Sequence, residues 1–192
     1  MVHIRFHTNS SQRLNMFHKD TEGNIVAEVI DNYLPEGIAD ELEEHFLSRN
    51  PQWRFQSKVA VEQMHDRSTG SPSDCFWAFV IWRQPEGIIA PEFERLVPII
   101  EKLNYKALIR IKANMYPSTE HIQKHAPHQD FSFNNKSALY YVNSNDGYTT
   151  LHGNIKIESK KNRLVVFDGS IEHYSTNCTD EQVRVSINFN FL

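Results

Sequence analysis

The stretch VRVSINFNF, residues 183–191, is the strongest strand signal in the chain. Its odd-numbered positions are all valine, isoleucine or phenylalanine, and its even-numbered positions are arginine, serine and asparagine. Because successive side chains of a strand point to opposite faces, this alternation predicts one apolar and one polar face. The apolar face is expected to pack against helices. The polar face either contacts water or lines the inside of a barrel, where a binding site needs polar groups.

Between residues 105 and 182 the sequence has five more short segments rich in β-branched and aromatic residues. They are LIRIKANMY, SALYYVN, NIKIE, RLVVFDG and IEHYST. Turn signals separate several of them, namely Asn-Asp-Gly at 145–147, Gly-Asn at 153–154 and Asp-Gly at 168–169. Many short strands joined in this way predict a jelly-roll or a barrel.

The first half of the chain has a different character. Residues 25–50 read as a strand, a turn and a helix, and FWAFVIW at 76–82 reads as a buried strand. The polar run at 62–74 predicts a loop that is either functional or mobile. Residues 91–104 predict a second helix, with an apolar side formed by Phe93, Val97, Ile100 and Leu103. Helices followed by strands predict an α+β protein, mainly β, with the helices packed on one sheet.

Composition narrows the class of protein. The chain has 192 residues and a formal charge of −4, which argues against sequence-independent binding of nucleic acid. Its cysteines, Cys75 and Cys178, form no C-x-x-C pair, which favours a reducing, cytoplasmic location. The start MVHIRFHTNS has no apolar run typical of a signal peptide, and no stretch is long enough to span a membrane.

The segment HIQKHAPHQDFSF, residues 121–133, offers two candidate metal sites. His121 and His125 have the i, i+4 spacing of the zinc-peptidase helix H-E-x-x-H. However, no glutamate lies between these two histidines, where the middle residue is Gln123, and Pro127 disfavours helix in the residue before it. We therefore expect these two histidines to lie in a solvated loop or at a strand end.

His128 and Asp130 have the i, i+2 spacing that places two side chains on one face of a strand. Non-haem Fe(II) oxygenases bind iron with two histidines and one carboxylate, so this pair needs a second histidine. Two histidines downstream could supply it. His152 precedes a glycine, whereas His173 lies within the predicted strand IEHYST.

The ordered set of H-x-D, a distal histidine and an arginine about ten residues later resembles the Fe(II)/2-oxoglutarate-dependent oxygenase superfamily. Further motifs resemble its prolyl 4-hydroxylase-like branch: MYP at 115–117, ALYYVN at 138–143, DGYTTLHG at 146–153 and the C-terminal stretch 162–191. The start VAEVIDNYLPEGIADEL is similar to the usual N-terminal lead-in. The compact C-terminal pattern is most similar to small members from phages and marine bacteria.

The resemblance implies a double-stranded β-helix (jelly-roll, cupin-like) core at 105–192, supported by 1–104 in a single oxygenase domain, 1–192. It implies that His128, Asp130 and His173 bind Fe(II) and form the catalytic centre. Arg184 would pair with the distal carboxylate of 2-oxoglutarate, because its planar fork suits a bidentate carboxylate. The other implied cosubstrate contacts are the hydroxyls of Tyr116 and Tyr141, the apolar Leu139, and the polar Thr149, Ser186 and Asn114. Ascorbate is a further cofactor compatible with this chemistry.

The resemblance implies a dioxygenase that hydroxylates a C–H bond and releases succinate and carbon dioxide. The motifs MYP and YYVN favour a prolyl or other amino-acid residue of a peptide or protein as substrate, with residues 63–75 and 118–127 at the substrate rim. Asn114 with Tyr116 resembles the N-x-Y of the nucleic-acid-dealkylating branch, so a dealkylase or base oxidase stays an alternative. The basic residues of 156–163 are the only notable cationic cluster, and we expect them in a solvated hairpin. A non-enzymatic metal-binding jelly-roll is the third hypothesis.

Overall fold

The computed structural model describes residues 14–20, 22–57, 75–152 and 154–192. The predicted loop at 62–74 therefore lies outside the described residues. In chain order the elements are β1 (Leu14–Lys19), β2 (Ile25–Asp31), α1 (Glu36–Leu47), β3 (Arg54–Gln56), β4 (Phe76–Arg83), β5 (Gly87–Ile88), α2 (Phe93–Ile100), β6 (Leu108–Pro117), β7 (Lys136–Tyr141), β8 (Tyr148–Leu151), β9 (Ile155–Glu158), β10 (Arg163–Asp168), β11 (His173–Ser175) and β12 (Val183–Phe191).

These strands form two antiparallel sheets. The large sheet has the order β1-β2-β10-β7-β12-β6-β4-β3, with β5 added beside β4. The small sheet has the order β11-β8-β9. Strands that follow one another in the chain often lie in different sheets: β7, β10 and β12 belong to the large sheet, and β8, β9 and β11 to the small one. The polypeptide therefore crosses several times between the two layers.

The two faces of β12 explain the layering. Val185, Ile187 and Phe189 are buried in a core that also contains Leu42 of α1 and Leu96 of α2. The helices therefore cover one face of the large sheet, as predicted from the alternation. The opposite face of the large sheet packs towards the small sheet through a second apolar cluster, whose members are Ala27, Val29, Leu139, Tyr141, Leu151, Ile157, Val165 and Phe167.

The polar face of β12 does not contact water. Arg184 and Asn190 are fully buried, and Ser186 and Asn188 are nearly so. The strand lies between β6 and β7, and this face looks into the space between the two sheets. The sequence was compatible with either water or a barrel interior as the environment of these side chains. The structure shows that they lie in the interior.

Helix α2 is shorter than its prediction. It spans Phe93–Ile100 rather than 91–104, and its buried residues are Leu96, Ile99 and Ile100. Val97 is only partly buried. Of the predicted apolar side, Ile100 and Leu103 are buried in the core and Phe93 packs against it, so the structure confirms most of that side. Within the residues described, no helix is both long and apolar enough to cross a membrane.

Candidate active site

His128 and His173 are joined through their backbones. Each donates its N–H to the carbonyl oxygen of the other, and both hydrogen bonds are 2.9 Å long. This isolated bridge fixes the loop between β6 and β7 against the start of β11. As a result the two imidazole rings lie 4.6 Å apart between their centroids.

The side chains of His128, Asp130 and His173 form a compact group of metal donors. Their ligand atoms all lie within 4.8 Å of one another. The Nδ1 atom of each histidine faces a carbonyl oxygen two residues earlier, that of Ala126 at 3.2 Å and that of Ile171 at 3.1 Å. A carbonyl accepts only from an N–H, so Nδ1 carries a proton in both rings, and Nε2 is the atom that offers a lone pair to a metal when the ring is neutral.

Burial, reinforced by the nearby His173, lowers the pKa of His128, and the charge of Asp130 only partly opposes this. The imidazole of His128 is therefore neutral at neutral pH. A neutral imidazole is the form that binds a metal.

Asp130 is held as a carboxylate. Arg110 Nη2 donates to Oδ1 at 2.8 Å, and the amides of Asn188 and Asn190 donate to Oδ2 at 2.8 and 2.9 Å. Ser137 Oγ adds a contact of 3.2 Å to Oδ2. Burial alone would raise the pKa of Asp130, but the charge of Arg110 and the amide hydrogen bonds hold this pKa well below its usual range. Two neutral imidazoles and one carboxylate form the donor set of Fe(II) oxygenases, so these residues fit that metal.

Arg184 is fully buried near the same cluster. Its Nε donates to Ser159 Oγ at 2.6 Å, Nη1 to the Thr176 carbonyl oxygen at 3.0 Å, and Nη2 to Thr149 Oγ1 at 2.9 Å. A guanidinium has five N–H donors, so two are left over. Among the residues that the structure describes, no carboxylate lies within ion-pair distance of Arg184. A buried cation without a counter-ion is costly, and the site therefore calls for an anionic ligand.

Two tyrosines flank this guanidinium. Its central carbon lies 5.4 Å from the ring centroid of Tyr116 and 5.5 Å from that of Tyr141. Burial raises the pKa of both phenols, although the charge of Arg184 opposes the shift, so both keep their protons. The Tyr141 hydroxyl is buried beside Thr149 and Arg184, and no hydrogen bond of ordinary geometry satisfies it.

One cavity of about 590 Å³ connects the donor cluster with Arg184. Of the other residues expected to contact the cosubstrate, those that line it are Asn114, Tyr116, Leu139, Thr149 and Ser186. Tyr141 lies behind this wall and reaches the site only beside Arg184. The sequence therefore named residues that lie together in space, although their individual roles stay predictions.

The remaining histidines have different environments. His152 is exposed in the turn after β8, and the side chain of His121 is 80% exposed. Neither belongs to the donor cluster. The expectation of a solvated position was wrong for His125, which is only 3% exposed. Its ring stacks on Tyr116 with centroids 4.8 Å apart, and its Nδ1 lies 2.8 Å from Ser175 Oγ.

The predicted mouth segment 118–127 is also more ordered than a free loop. The His125 N–H donates to the carbonyl oxygen of Ser175 at 2.9 Å, and Lys124 forms a bridge with Thr176. The segment therefore adds to the edge of β11, because its backbone groups find partners there. This attachment brings the ring of His125 against Tyr116, which lines the cavity.

The basic residues after β9 are not a free cationic patch. Lys160 and Arg163 both bind Asp31, at 3.0 and 2.6 Å, and Lys161 Nζ binds Asp40 at 2.6 Å and also Glu43. The expectation of a solvated position was right for Lys160, which is 52% exposed, but wrong for Arg163, which is 12% exposed, and Lys161 is intermediate. Their charges are already balanced by acids of β2 and α1.

Several residues that organise the site were not identified from the sequence. Asn188 and Asn190 could have been, because they share the polar face of β12 with Arg184. Arg110 and Ser137 gave no signal, since their approach to Asp130 depends on how β6 and β7 flank β12. Ser159 lies just after β9, where a serine has no distinguishing pattern.

Comparison with known proteins was informative at the level of structure. Neither the family models nor the curated protein sequences that were searched gave a match. A prolyl hydroxylase from Trichoplax adhaerens, solved in complex with a peptide fragment of the hypoxia inducible factor oxygen degradation domain, superposes with a TM-score of 0.59 at 16% identity. That match covers 86% of this chain and 83% of the other. This chain has the fold of the Fe(II)/2-oxoglutarate-dependent oxygenases.

Two further structures agree with this assignment of the fold. The viral collagen prolyl hydroxylase from Paramecium Bursaria Chlorella virus-1 matches over 99% of this chain and 98% of its own, with a TM-score of 0.53 and 12% identity. The α-ketoglutarate-dependent epimerase SnoN from nogalamycin biosynthesis matches over 86% and 77%, with a TM-score of 0.61 and 13% identity. The oxygenase fold thus includes proteins of different reactions, and the reaction of this chain has to be argued from its own site.

Proposed function

We propose that this chain is an Fe(II)- and 2-oxoglutarate-dependent dioxygenase that hydroxylates a prolyl or other amino-acid residue of a peptide or protein. One observation carries the proposal. A fully buried arginine that lacks a carboxylate partner among the described residues shares a cavity with two histidines and an aspartate in the arrangement of a metal site. An anionic, metal-chelating cosubstrate would satisfy both features at once.

His128, Asp130 and His173 would hold the iron. Bound Fe(II) supplies the chemistry of this class, in which oxidation of a C–H bond by dioxygen is coupled to decarboxylation of 2-oxoglutarate to succinate. The protein contributes two imidazoles and a carboxylate that stays ionised because Arg110, Asn188 and other donors hold it. Sites with two histidines and one carboxylate keep positions open for other ligands.

Arg184 would bind the distal carboxylate of 2-oxoglutarate with its two remaining N–H groups. Thr149 and the Tyr141 hydroxyl lie beside the guanidinium and would add hydrogen bonds. Leu139 lines the cavity wall with an apolar side chain that would pack against the methylene groups. Residues of the cavity would also keep bulk water away from the reacting groups.

A peptide or protein substrate is favoured over a nucleic acid. The Trichoplax enzyme was solved with a peptide, and the viral structure is that of a collagen prolyl hydroxylase. A nucleic-acid substrate would require a basic groove. The clearest basic cluster in the sequence, around Lys160 and Lys161, is instead paired with acids. We also propose that residues 1–192 act as one oxygenase domain, and a cytoplasmic location stays a prediction.

The test is an anaerobic titration of the metal-free protein with Fe(II) and 2-oxoglutarate, in the presence of ascorbate, followed by the visible metal-to-ligand charge-transfer band. We expect the band in the wild type and in His152→Ala, a matched histidine variant outside the cluster. His173→Ala and Asp130→Ala are expected to abolish it. Arg184→Gln is expected to keep the band but to raise the 2-oxoglutarate concentration needed to form it by roughly a hundredfold, since a charge-assisted pair is lost.

The opposite pattern would refute the proposal. A band that survives in His173→Ala but disappears in His152→Ala would mean that the wrong histidine was chosen. A metal that binds tightly with no response to 2-oxoglutarate would favour the non-enzymatic metal-binding jelly-roll. Oxidation of a methylated oligonucleotide, without hydroxylation of any peptide, would favour the dealkylase.

A further inference from the structure

A second cavity opens directly beside the candidate active site. It has a volume of about 890 Å³ and is bounded by β3, β4, β6 and the segment that precedes α2. Gln56, Arg110 and Lys112 line both cavities. The two spaces therefore adjoin at these residues, and a substrate that extends along the second cavity, called here the side groove, would come close to the metal donors.

Lys112 stands at this junction without an acidic partner. It is partly buried, and within the described part of the chain no carboxylate lies within ion-pair distance of its ammonium. Its Nζ atom lies over the ring of Phe76, 5.0 Å from the ring centroid. A cation that is partly removed from water and has no counter-ion is a natural position for an anionic group of a ligand.

The register of the sheet relates Lys112 to the metal donors. Lys112 lies directly opposite Asn188 in the β6–β12 pair, and the Asn188 amide donates to Asp130. The other amide atom, Asn188 Oδ1, is buried and has no hydrogen-bond partner among the residues that the structure describes. The backbones of Lys112 and Asn188 are thus about one strand spacing, or ~5 Å, apart. A substrate N–H nearby would satisfy the free acceptor.

Among the described residues, the other charged side chains of the side groove leave one more cation without an acidic partner. Arg83 pairs with Glu86 at 2.6 Å, and Arg110 is occupied by Asp130. The acid of the groove, Glu92, is buried and lies 3.3 Å from His45. Arg54 has no acidic partner among the described residues, and it occupies the edge strand β3, across Ala78 of β4 from Asn114 of β6. Both cations, Arg54 and Lys112, therefore line the wall of one groove.

We propose that Lys112 and Arg54 form an anion-binding subsite for the substrate, so that the preferred peptide carries an acidic side chain close to the residue that reacts. The inference rests on the proposed function, because it names the substrate class of the same site. Two cations without a described acidic partner suit a ligand with a carboxylate or a phosphate group. A polyanion such as a nucleic acid would require a row of cations for successive phosphates, and the groove does not provide one among its described residues.

The experiment measures peptide binding without turnover. Fluorescein-labelled, C-terminally amidated peptides Gly-Xaa-Pro-Xaa-Gly, in which Xaa is Glu, phosphoserine, Gln or Lys, are titrated anaerobically with the protein loaded with Fe(II) and 2-oxoglutarate. We expect the Glu or the phosphoserine peptide to bind about five- to tenfold more tightly than the Gln peptide at low salt, with the difference falling as salt is added. Comparison of those two peptides distinguishes a carboxylate from a phosphate.

Charge-neutral variants assign the preference to the subsite. Lys112→Gln is expected to reduce the preference for an acidic peptide to roughly twofold or less, and Arg54→Gln to reduce it partly. Lys156→Gln, which removes a lysine outside both cavities, is the matched control and should leave the preference unchanged. The visible Fe(II)/2-oxoglutarate band checks that each variant keeps its metal and cosubstrate sites.

The outcomes separate this inference from the function on which it rests. If the band never forms, the proposed function fails, and the same titrations are made with metal-free protein, in which both cations are present. Equal binding of all four peptides, no binding of either acidic peptide, or an undiminished preference in Lys112→Gln would overturn the subsite. Tighter binding of a single-stranded oligonucleotide than of the acidic peptides would also overturn it.

Discussion

His128 and His173 are held in matching ways although they are far apart in sequence. Their backbones exchange two hydrogen bonds of 2.9 Å, and the Nδ1 atom of each ring faces the carbonyl oxygen two residues before it. Both rings therefore turn their Nε2 atoms to the same side, where Asp130 Oδ2 lies 3.9 Å from that of His173. The metal donors are oriented by backbone contacts, so the site needs little rearrangement to bind an ion.

The amide contacts of Asp130 are expected to control metal affinity. Asn190→Ala removes a hydrogen bond of 2.9 Å to Asp130 and another of 2.9 Å to Ser137. We expect Fe(II) affinity to fall by about 10- to 100-fold, as is typical when the partner of a metal ligand is lost. Competition with a fluorescent chelator measures this. Asn154→Ala, in an exposed turn, is the control, and equal affinities of the two variants would contradict the prediction.

Gly147 is expected to be needed for the position of Arg184. A Cβ atom at this residue would lie 2.6 Å from Arg184 Cδ and within 3 Å of the Asn177 carbonyl oxygen. Gly147→Ala should therefore displace the guanidinium and raise the Kd for 2-oxoglutarate by about tenfold or more, with a loss of about 1–3 kcal/mol in the free energy of unfolding.

Gly37→Ala is the matched control, because nothing lies within 4 Å of its added Cβ in helix α1. It should leave the Kd for 2-oxoglutarate unchanged. Isothermal titration of the Fe(II)-loaded variants measures both constants. An unchanged Kd in Gly147→Ala would contradict the prediction, because it would mean that the loop accommodates the added Cβ without displacing Arg184.

Asp31 is expected to make stability depend on pH. Burial would raise its pKa, but hydrogen bonds from Arg163 and Lys160 outweigh burial and lower it. The ionised carboxylate therefore stabilises the fold above the ordinary pKa of aspartate, and this contribution is lost as pH falls through the lower pKa of the folded state. Asp31→Asn should cost about 1–3 kcal/mol at pH 7, chiefly through the largely buried Arg163.

Urea denaturation at several pH values checks this prediction. The difference between wild type and Asp31→Asn should shrink below about pH 4, where the unfolded state protonates this residue. Glu41→Gln, at an exposed position of α1, should lie within about 0.5 kcal/mol of the wild type. A difference that is constant down to pH 2 would contradict the sign of the pKa shift.

His125 is expected to act through its ring rather than through its charge. Burial and the nearby Arg184 lower its pKa to about 3, so it stays neutral above that pH. His125→Phe keeps a ring to stack on Tyr116, whereas His125→Ala removes it. We expect cosubstrate affinity to fall several-fold more in His125→Ala than in His125→Phe, and the same loss in both variants would indicate that the hydrogen bond to Ser175 matters more.

The preference for acidic peptides is expected to fade at alkaline pH. Burial, with a contribution from Arg110, lowers the pKa of Lys112 to about 8, and Asp130 only partly opposes this. Lys112 is therefore charged below about pH 8 and loses its charge as pH rises through that value, while Arg54 stays charged. The ratio of Glu-peptide to Gln-peptide affinity should fall between pH 7 and 9 in the wild type, and in Lys112→Gln it should be flat.

Much of the architecture could be predicted because it depends on patterns within short segments of the sequence. The alternation in β12 identified both its faces, and the ordered motifs identified His128, Asp130, His173 and Arg184 as neighbours. What could not be predicted depends on contacts between distant segments. His125 is buried because its segment pairs with β11 and its ring meets Tyr116 of β6, and no property of residues 118–127 indicates this.

The same limit applies to charge. The lysines after β9 look like a free basic cluster in the sequence, since their acidic partners lie more than a hundred positions earlier, in β2 and α1. Lys112, by contrast, looks like an ordinary strand lysine. Only the assembled sheet shows that the first group is paired and that Lys112 lacks a described partner.

Because hydrogen bonds hold Arg184 in one position, the cavity is expected to accept keto acids of one length. Ser159, Thr149 and the Thr176 carbonyl hold all three of its nitrogens, so the guanidinium cannot follow a ligand that is too short or too long. The donors at the other end of the cavity are fixed by backbone pairing. Oxaloacetate, one methylene shorter than 2-oxoglutarate, and 2-oxoadipate, one methylene longer, would each reach only one end, and the cavity would therefore act as a ruler that selects the five-carbon diacid.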